Sequence, residues 1–182
     1  MKKFITFILL FITSLVTFGS SNVRVYYTNS ITRRETPQLT VAQYKSKVQS
    51  LILEINKLGK TSAPKTKQVK NKKATNIGDM INEQLKQAQI IIDKGIPLYS
   101  QLIALNPPKS LVTSHNKLKK GTQSALDVLY MSKSLMQSLE NPYAMNQYEL
   151  MNNLEELSIK LNELQNNSHT MMEAIFEISA AN

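Results

Sequence analysis

The chain predicts an all-α fold, an antiparallel up-and-down helical bundle of three long helices plus one shorter N-terminal helix. Three observations predict it. Apolar residues recur at spacings of three and four through four separate stretches, the period that lays a stripe along one face of a helix. Five Gly, six Pro and no Trp among 182 residues suit helices rather than a loop-rich or all-β chain. The breaks at Asn106-Pro107-Pro108 and Asn141-Pro142 are short, so the long helices fold back on one another instead of running on as a single coiled coil.

Ahead of the bundle stands a segment that reads as an address. Met1-Lys2-Lys3 is a positive start, and Phe4 to Phe18 is an uninterrupted uncharged apolar run. Gly19-Ser20-Ser21 then supplies the small residues that signal peptidase requires. Residues 1–21 are therefore expected to be a signal peptide, cut after Ser21 or after Gly19. The alternative is an uncleaved membrane anchor, but the run falls short of the roughly 18–20 residues a spanning helix needs. Either way the rest of the chain is expected to be extracytoplasmic, secreted or associated with the cell wall. Residues 22–38 (NVRVYYTNSITRRETPQ, less the helix start) have no helical period and read as an extended basic tether carrying Arg24, Arg33 and Arg34.

The bundle is expected over residues 39–182. Thr40 with Gln43 makes a capping box, Leu39 with Tyr44 a hydrophobic staple, and the row Val41, Tyr44, Val48, Leu51, Ile55, Leu58 follows until Gly59 ends the first helix. Residues 60–75 hold Lys60, Lys65, Lys67, Lys70, Lys72 and Lys73 with no acid, and are expected to be a flexible loop. The second helix opens at the N-cap Asn76, carries Ile81, Leu85, Ala88, Ile92, Tyr99 and Leu102, and is expected to kink at Gly95-Ile96-Pro97. The third runs on Leu111, His115, Leu118, Thr122, Ala125, Leu129, Ser132, Met136 and Leu139. Asn141-Pro142 is expected to start the fourth, whose row is Leu150, Leu154, Leu157, Leu161, Leu164, Ser168, Met171, Ile175 and Ile178.

Charge is divided unevenly. Residues 22–76 hold twelve Lys and Arg against two acids, whereas residues 77–182 hold eight against eleven. A basic arm and loop on a mildly acidic bundle would be drawn to an anionic cell-envelope polymer or to membrane headgroups, with Lys60, Lys65, Lys67, Lys70, Lys72 and Lys73 as the contacts. A solvated linker is the plainer alternative. Nucleic acid is not an expected partner, because the loop has no aromatic residue on which a base could stack.

The chain has no Cys, which excludes disulfides, thiolate metal sites, cysteine nucleophiles and a lipidated N-terminal cysteine. It has no nucleophile elbow and no phosphate-cradling glycine loop, so neither catalysis nor a cofactor is expected. One metal arrangement is conceivable. His115 and His169 stand equally far from Pro142, so a hairpin turning there would bring them level, with Glu173 one turn beyond His169. The plainer alternative is one seam histidine and one partly exposed histidine.

The stretches LTVAQYKSKVQSLILEIN and PLYSQLIALNPPKSLVTSHNKLKKG, with Leu-Asn-Pro-Pro-Lys ahead of His115 and Lys117-Leu118-Lys119-Lys120-Gly121, carry a resemblance. The block from Leu39 to about Leu139 resembles a family of uncharacterised small secreted lipoproteins of Bacillus-type Gram-positive bacteria. The resemblance implies a Gram-positive setting and no activity, and the chain departs from the pattern in lacking the lipobox cysteine. The expected role is that of an exported, non-catalytic bundle that binds or scaffolds at the cell surface.

Overall fold

The computed structural model describes residues 38–62, 77–140 and 146–182. The expected signal segment, the tether up to residue 37, the loop from residue 63 to 76 (with the Asn76 cap) and the Asn141-Pro142 break lie outside the described residues. Four helices follow in order: α1 (Val41–Ser62), α2 (Ile77–Ile103), α3 (Val112–Glu140) and α4 (Gln147–Ala180), with one 3₁₀ turn (Lys109–Leu111) leading into α3. They pack as an all-α bundle in which α2 lies against α1 and α3, and α3 forms its broadest contact with α4. No helix among the described residues is long and apolar enough to cross a membrane.

α1 starts as its cap dictates. The Thr40 N–H donates to Gln43 Oε1 at 3.1 Å and the Gln43 N–H to Thr40 Oγ1 at 3.3 Å, so two end donors are satisfied reciprocally. Leu39 packs on the core beside fully buried Tyr44, and Val48 and Ile55 continue the buried row. Gly59 does not end the helix. It is itself buried within α1, which continues to Ser62, so Lys60 belongs to the helix and not to a loop. A mid-helix glycine costs only about 1 kcal/mol, less than further turns of hydrogen bonds return.

α2 runs as one helix through Gly95-Ile96-Pro97, as its apolar row predicts. Buried Ile91 and Ile92 before the proline, and Tyr99 and Leu102 after it, anchor both halves to the same core. Gly95 serves packing: a Cβ there would stand 3.2 Å from Leu129 Cδ1, so α2 and α3 approach closely at this level. That neighbour is the end of a flexible side chain. Gly95→Ala is therefore expected to change stability by less than about 1 kcal/mol, the helix-propensity gain offsetting the squeeze, as chemical denaturation would measure.

In α3 the expected row is buried from Leu111 through His115, Leu118, Thr122, Ala125 and Leu129 to Ser132. A second buried row, absent from the sequence reading, runs through Ser114, Gly121, Ser124, Val128 and Leu135. Its first three members meet α4. Ser132 Oγ has no hydrogen-bond partner among the described residues. Ser132→Ala is expected to be neutral or to stabilise by up to about 1 kcal/mol, because it removes a buried hydroxyl that gains nothing; thermal unfolding would show it.

α4 starts five residues later than Asn141-Pro142 would place it. Its cap is Asn146, whose Oδ1 accepts from the Glu149 N–H at 2.9 Å while its own N–H donates to Glu149 Oε2 at 3.1 Å. An asparagine followed three residues on by glutamate is the stronger signal, since it satisfies two donors where a lone proline satisfies none. That shift decides what faces what across the hairpin.

Candidate functional site

The polar side chains converge where α1 begins, α2 ends, α3 begins and α4 ends. Here fully buried Tyr44 of α1 donates its hydroxyl proton towards His115 Nδ1 of α3, 2.7 Å away, with the two rings edge to face at 5.8 Å. The backbone carbonyl of Ile103, the last residue of α2, bonds the same imidazole. Nδ1 accepts from tyrosine and the carbonyl can only accept, so the neutral tautomer with its proton on Nε2 satisfies both partners. Burial, and then the positive charge of Lys119 one turn along α3, hold the His115 pKa below its ordinary value of 6.5, against the pull of the Ile103 carbonyl. Burial pushes the Tyr44 hydroxyl up to about 12, so it stays a donor throughout the physiological range.

Beside this pair, Ser114 Oγ donates to Glu177 Oε2 and Lys117 Nζ to Glu177 Oε1, each at 2.6 Å. The lysine, and then the serine, hold the Glu177 carboxyl below the usual carboxylate range. Lys45 Nζ reaches the Ala181 carbonyl at 3.1 Å, and Gln38 Nε2 the Pro107 carbonyl at 3.1 Å. Side-chain hydrogen bonds thus tie α1 to α3, α3 to α4 and α1 to the residue after α4 at this end.

Two shallow grooves lie elsewhere. One, of about 620 Å³, runs over α3 and α4 between Lys119, Lys120, Glu163 and Asn167. The other, of about 410 Å³, lies between α1 and α2 around Glu54, Asp93 and Pro97. Neither is lined by Tyr44 or His115.

The conceivable metal candidates His115, His169 and Glu173 are not brought together. Ser124 stands opposite Asn167, Gly121 opposite Met171 and Ser114 opposite Glu177. In that register His115 is level with Phe176, and His169 lies two turns, about 10 Å, further along α4. The hairpin mirrors about the Asn146 cap rather than about Pro142, and the shift separates the two imidazoles. His115 is buried, while His169 has a side chain 79% exposed and pairs only along its own helix, Nε2 to Glu173 Oε1 at 3.2 Å. Among the described residues no three His, Asp or Glu side chains are grouped as a metal ion needs. Zinc added to the chain is expected to leave its thermal midpoint unchanged; a rise that His115→Ala abolishes would reinstate the site.

Of the six lysines of the expected anionic-surface site, Lys60 falls on α1 and the other five lie outside the described residues. The Tyr44–His115 pair was missed by the sequence reading. Both residues were visible as seam positions, but nothing in their spacing says that the first helix and the third meet there. No protein family, curated protein or solved structure matches the chain.

Proposed function

We propose that this is an exported, non-catalytic helical-bundle protein that binds or scaffolds at the surface of a Gram-positive cell. The supporting observation is how its reactive side chains are used. Tyr44, His115, Ser114, Lys117 and Glu177 are committed to contacts between helices, whereas large apolar residues remain on the outside of α4. Tyr148 is 76% exposed and Phe176 75%. A protein that spends its chemistry on its own closure and leaves aromatic surface uncovered is built for contact with another molecule. The apolar run Phe4–Phe18 behind Lys2-Lys3 supports export.

Cell fractionation with intact mass tests the export half. A mass beginning at Asn22 or Ser20, recovered from the medium or wall, is the expected result. Full-length mass in the cytosol would overturn it.

The charge split favours a second reading, attraction of the basic segment to anionic wall polymer or headgroups. Retention on phosphatidylglycerol vesicles that weakens with salt, and disappears when Lys60, Lys65, Lys67, Lys70, Lys72 and Lys73 become Gln, would support it. Equal retention of the substituted chain would exclude it.

A further inference from the structure

Two heptad rows run along α4. The inner row (Leu150, Leu154, Leu157, Leu161, Leu164 and their successors) faces the bundle. The outer row repeats every seven residues through Tyr148, Glu155, Asn162, His169 and Phe176, with Met151, Ser158, Gln165 and Met172 between them. All nine are exposed. At 1.5 Å per residue the row is about 42 Å long and lies about 100° round the helix from the inner one. None of the other described helices covers it.

The outer row reads nearly alike in both directions from Asn162. Aromatic Tyr148 and aromatic Phe176 lie fourteen residues either side, and acidic Glu155 and His169 seven residues either side. Met151 and Met172 lie eleven and ten residues away, and Ser158 and Gln165 four and three, each pair within one residue, about 1.5 Å, of a common level. Asn162 mirrors itself. We infer that this row is the interface of a symmetric antiparallel dimer, in which α4 of a second copy lies against α4 with the two-fold axis at Asn162.

Charge decides the direction. α4 carries six Glu and one Lys, so its surface repels another acidic helix wherever acids meet. A parallel, in-register pair would set Glu155 on Glu155 and His169 on His169. The antiparallel pair sets Glu155 against His169 of the partner subunit, twice. His169 already holds Glu173 at 3.2 Å on its own helix, which fixes the imidazole on this face. The central Asn162 pair is the kind of polar layer that specifies register in coiled coils at some cost in stability.

Area is sufficient for a moderate interface. Four aromatic side chains, each offering on the order of 150–250 Å², together with four methionines, approach the order of 1,000 Å² that a specific contact needs. The pairing uses the same patch on both copies and so closes on itself without growing into a filament.

The absence of native cysteine makes the test direct. In the full chain, Asn162→Cys is expected to form a disulfide-linked dimer under mild oxidation at least ten times faster than Gln123→Cys, an exposed position on α3 away from the row. A short bismaleimide should join Tyr148→Cys to Phe176→Cys in a mixture of the two chains, and join neither to itself. Glu155→Lys or His169→Glu alone should shift the sedimenting species at 100 μM from dimer to monomer, and the two together on one chain should restore the dimer. Circular dichroism checks that each variant keeps its helix content. A monomer at 100 μM, equal oxidation rates at positions 162 and 123, or self-linking of the Tyr148→Cys chain would each overturn the proposal.

Discussion

Gly121→Leu is expected to lower the stability of the bundle by about 3 kcal/mol, and Gly121→Ala by about 1–2 kcal/mol. A Cβ at this position would stand 2.7 Å from Met171 Cβ and 3.1 Å from the Asn167 carbonyl oxygen. Both neighbours belong to or adjoin the α4 backbone, so the strain can be relieved only by moving the helices apart. Separation would weaken the contacts of the same buried row on either side, the Asn167 Nδ2 to Ser124 Oγ bond at 2.9 Å and the Ser114 to Glu177 bond at 2.6 Å. Alanine returns about 1 kcal/mol of helix propensity, which is why its net cost is the smaller. Gly95 supplies the internal control, because its nearest neighbour is a leucine methyl that can turn away. Urea unfolding of the three variants measures the contrast. If Gly121→Ala proves as stable as the parent chain, α3 and α4 do not approach as closely as described.

The second large effect is expected at the α1 end. Tyr44→Phe leaves the buried Nδ1 of His115 without its donor and should cost about 1–3 kcal/mol. His115→Ala orphans the Tyr44 hydroxyl and opens a cavity, and should cost about 3 kcal/mol. The pair also predicts how stability depends on pH. The His115 pKa is lowered in the folded chain from 6.5. Well above pH 6.5 the imidazole is neutral in both states and contributes no slope. As pH falls below 6.5 the unfolded chain takes up a proton that the folded chain refuses, so stability declines with acidification, by at most about 1.4 kcal/mol per pH unit.

Of the groups around His115, only the Ile103 carbonyl pulls the other way, and burial and Lys119 outweigh it. Lys119 on its own helix opposes a second positive charge, Tyr44 of α1 remains neutral, α2 presents only the Ile103 carbonyl, and Glu177 of α4 is engaged by Lys117 and Ser114. Glu177, whose pKa is lowered, loses its contribution only as pH falls below about 4.5, a separate window. Thermal midpoints of the parent chain between pH 7.5 and 5 should therefore fall, and His115→Gln should flatten the decline. Equal slopes in the two chains would mean that the imidazole is not buried neutral. α1 joins α4 through few contacts besides Lys45 to Ala181, so it is the helix expected to loosen first as the pair is protonated.

The amino-acid sequence alone determined the helical class, the four helices of the described residues, the Thr40 to Gln43 cap and nearly every position of the α3 and α4 inner rows. These features are local. A three-four spacing of apolar side chains or a capping box is decided within one or two turns of the chain, and tertiary contacts have little power to reverse it. Helix ends were less legible. At Gly59 the local penalty of one residue did not end the helix, and burial of a helix face is a property of the assembled bundle.

The register of the α3–α4 hairpin follows from the Asn146–Glu149 cap, a local signal that the reading of Asn141-Pro142 as the start passed over. A shift of the mirror point from Pro142 to the Asn146 cap separates His115 from His169 by two turns and gives His115 to Tyr44. Which face of α4 is buried followed from the inner leucines, but that the Tyr148-to-Phe176 row stays uncovered did not. A helix with two heptad rows can bury either or both, and only the placement of its neighbours in the bundle settles which row is left to solvent.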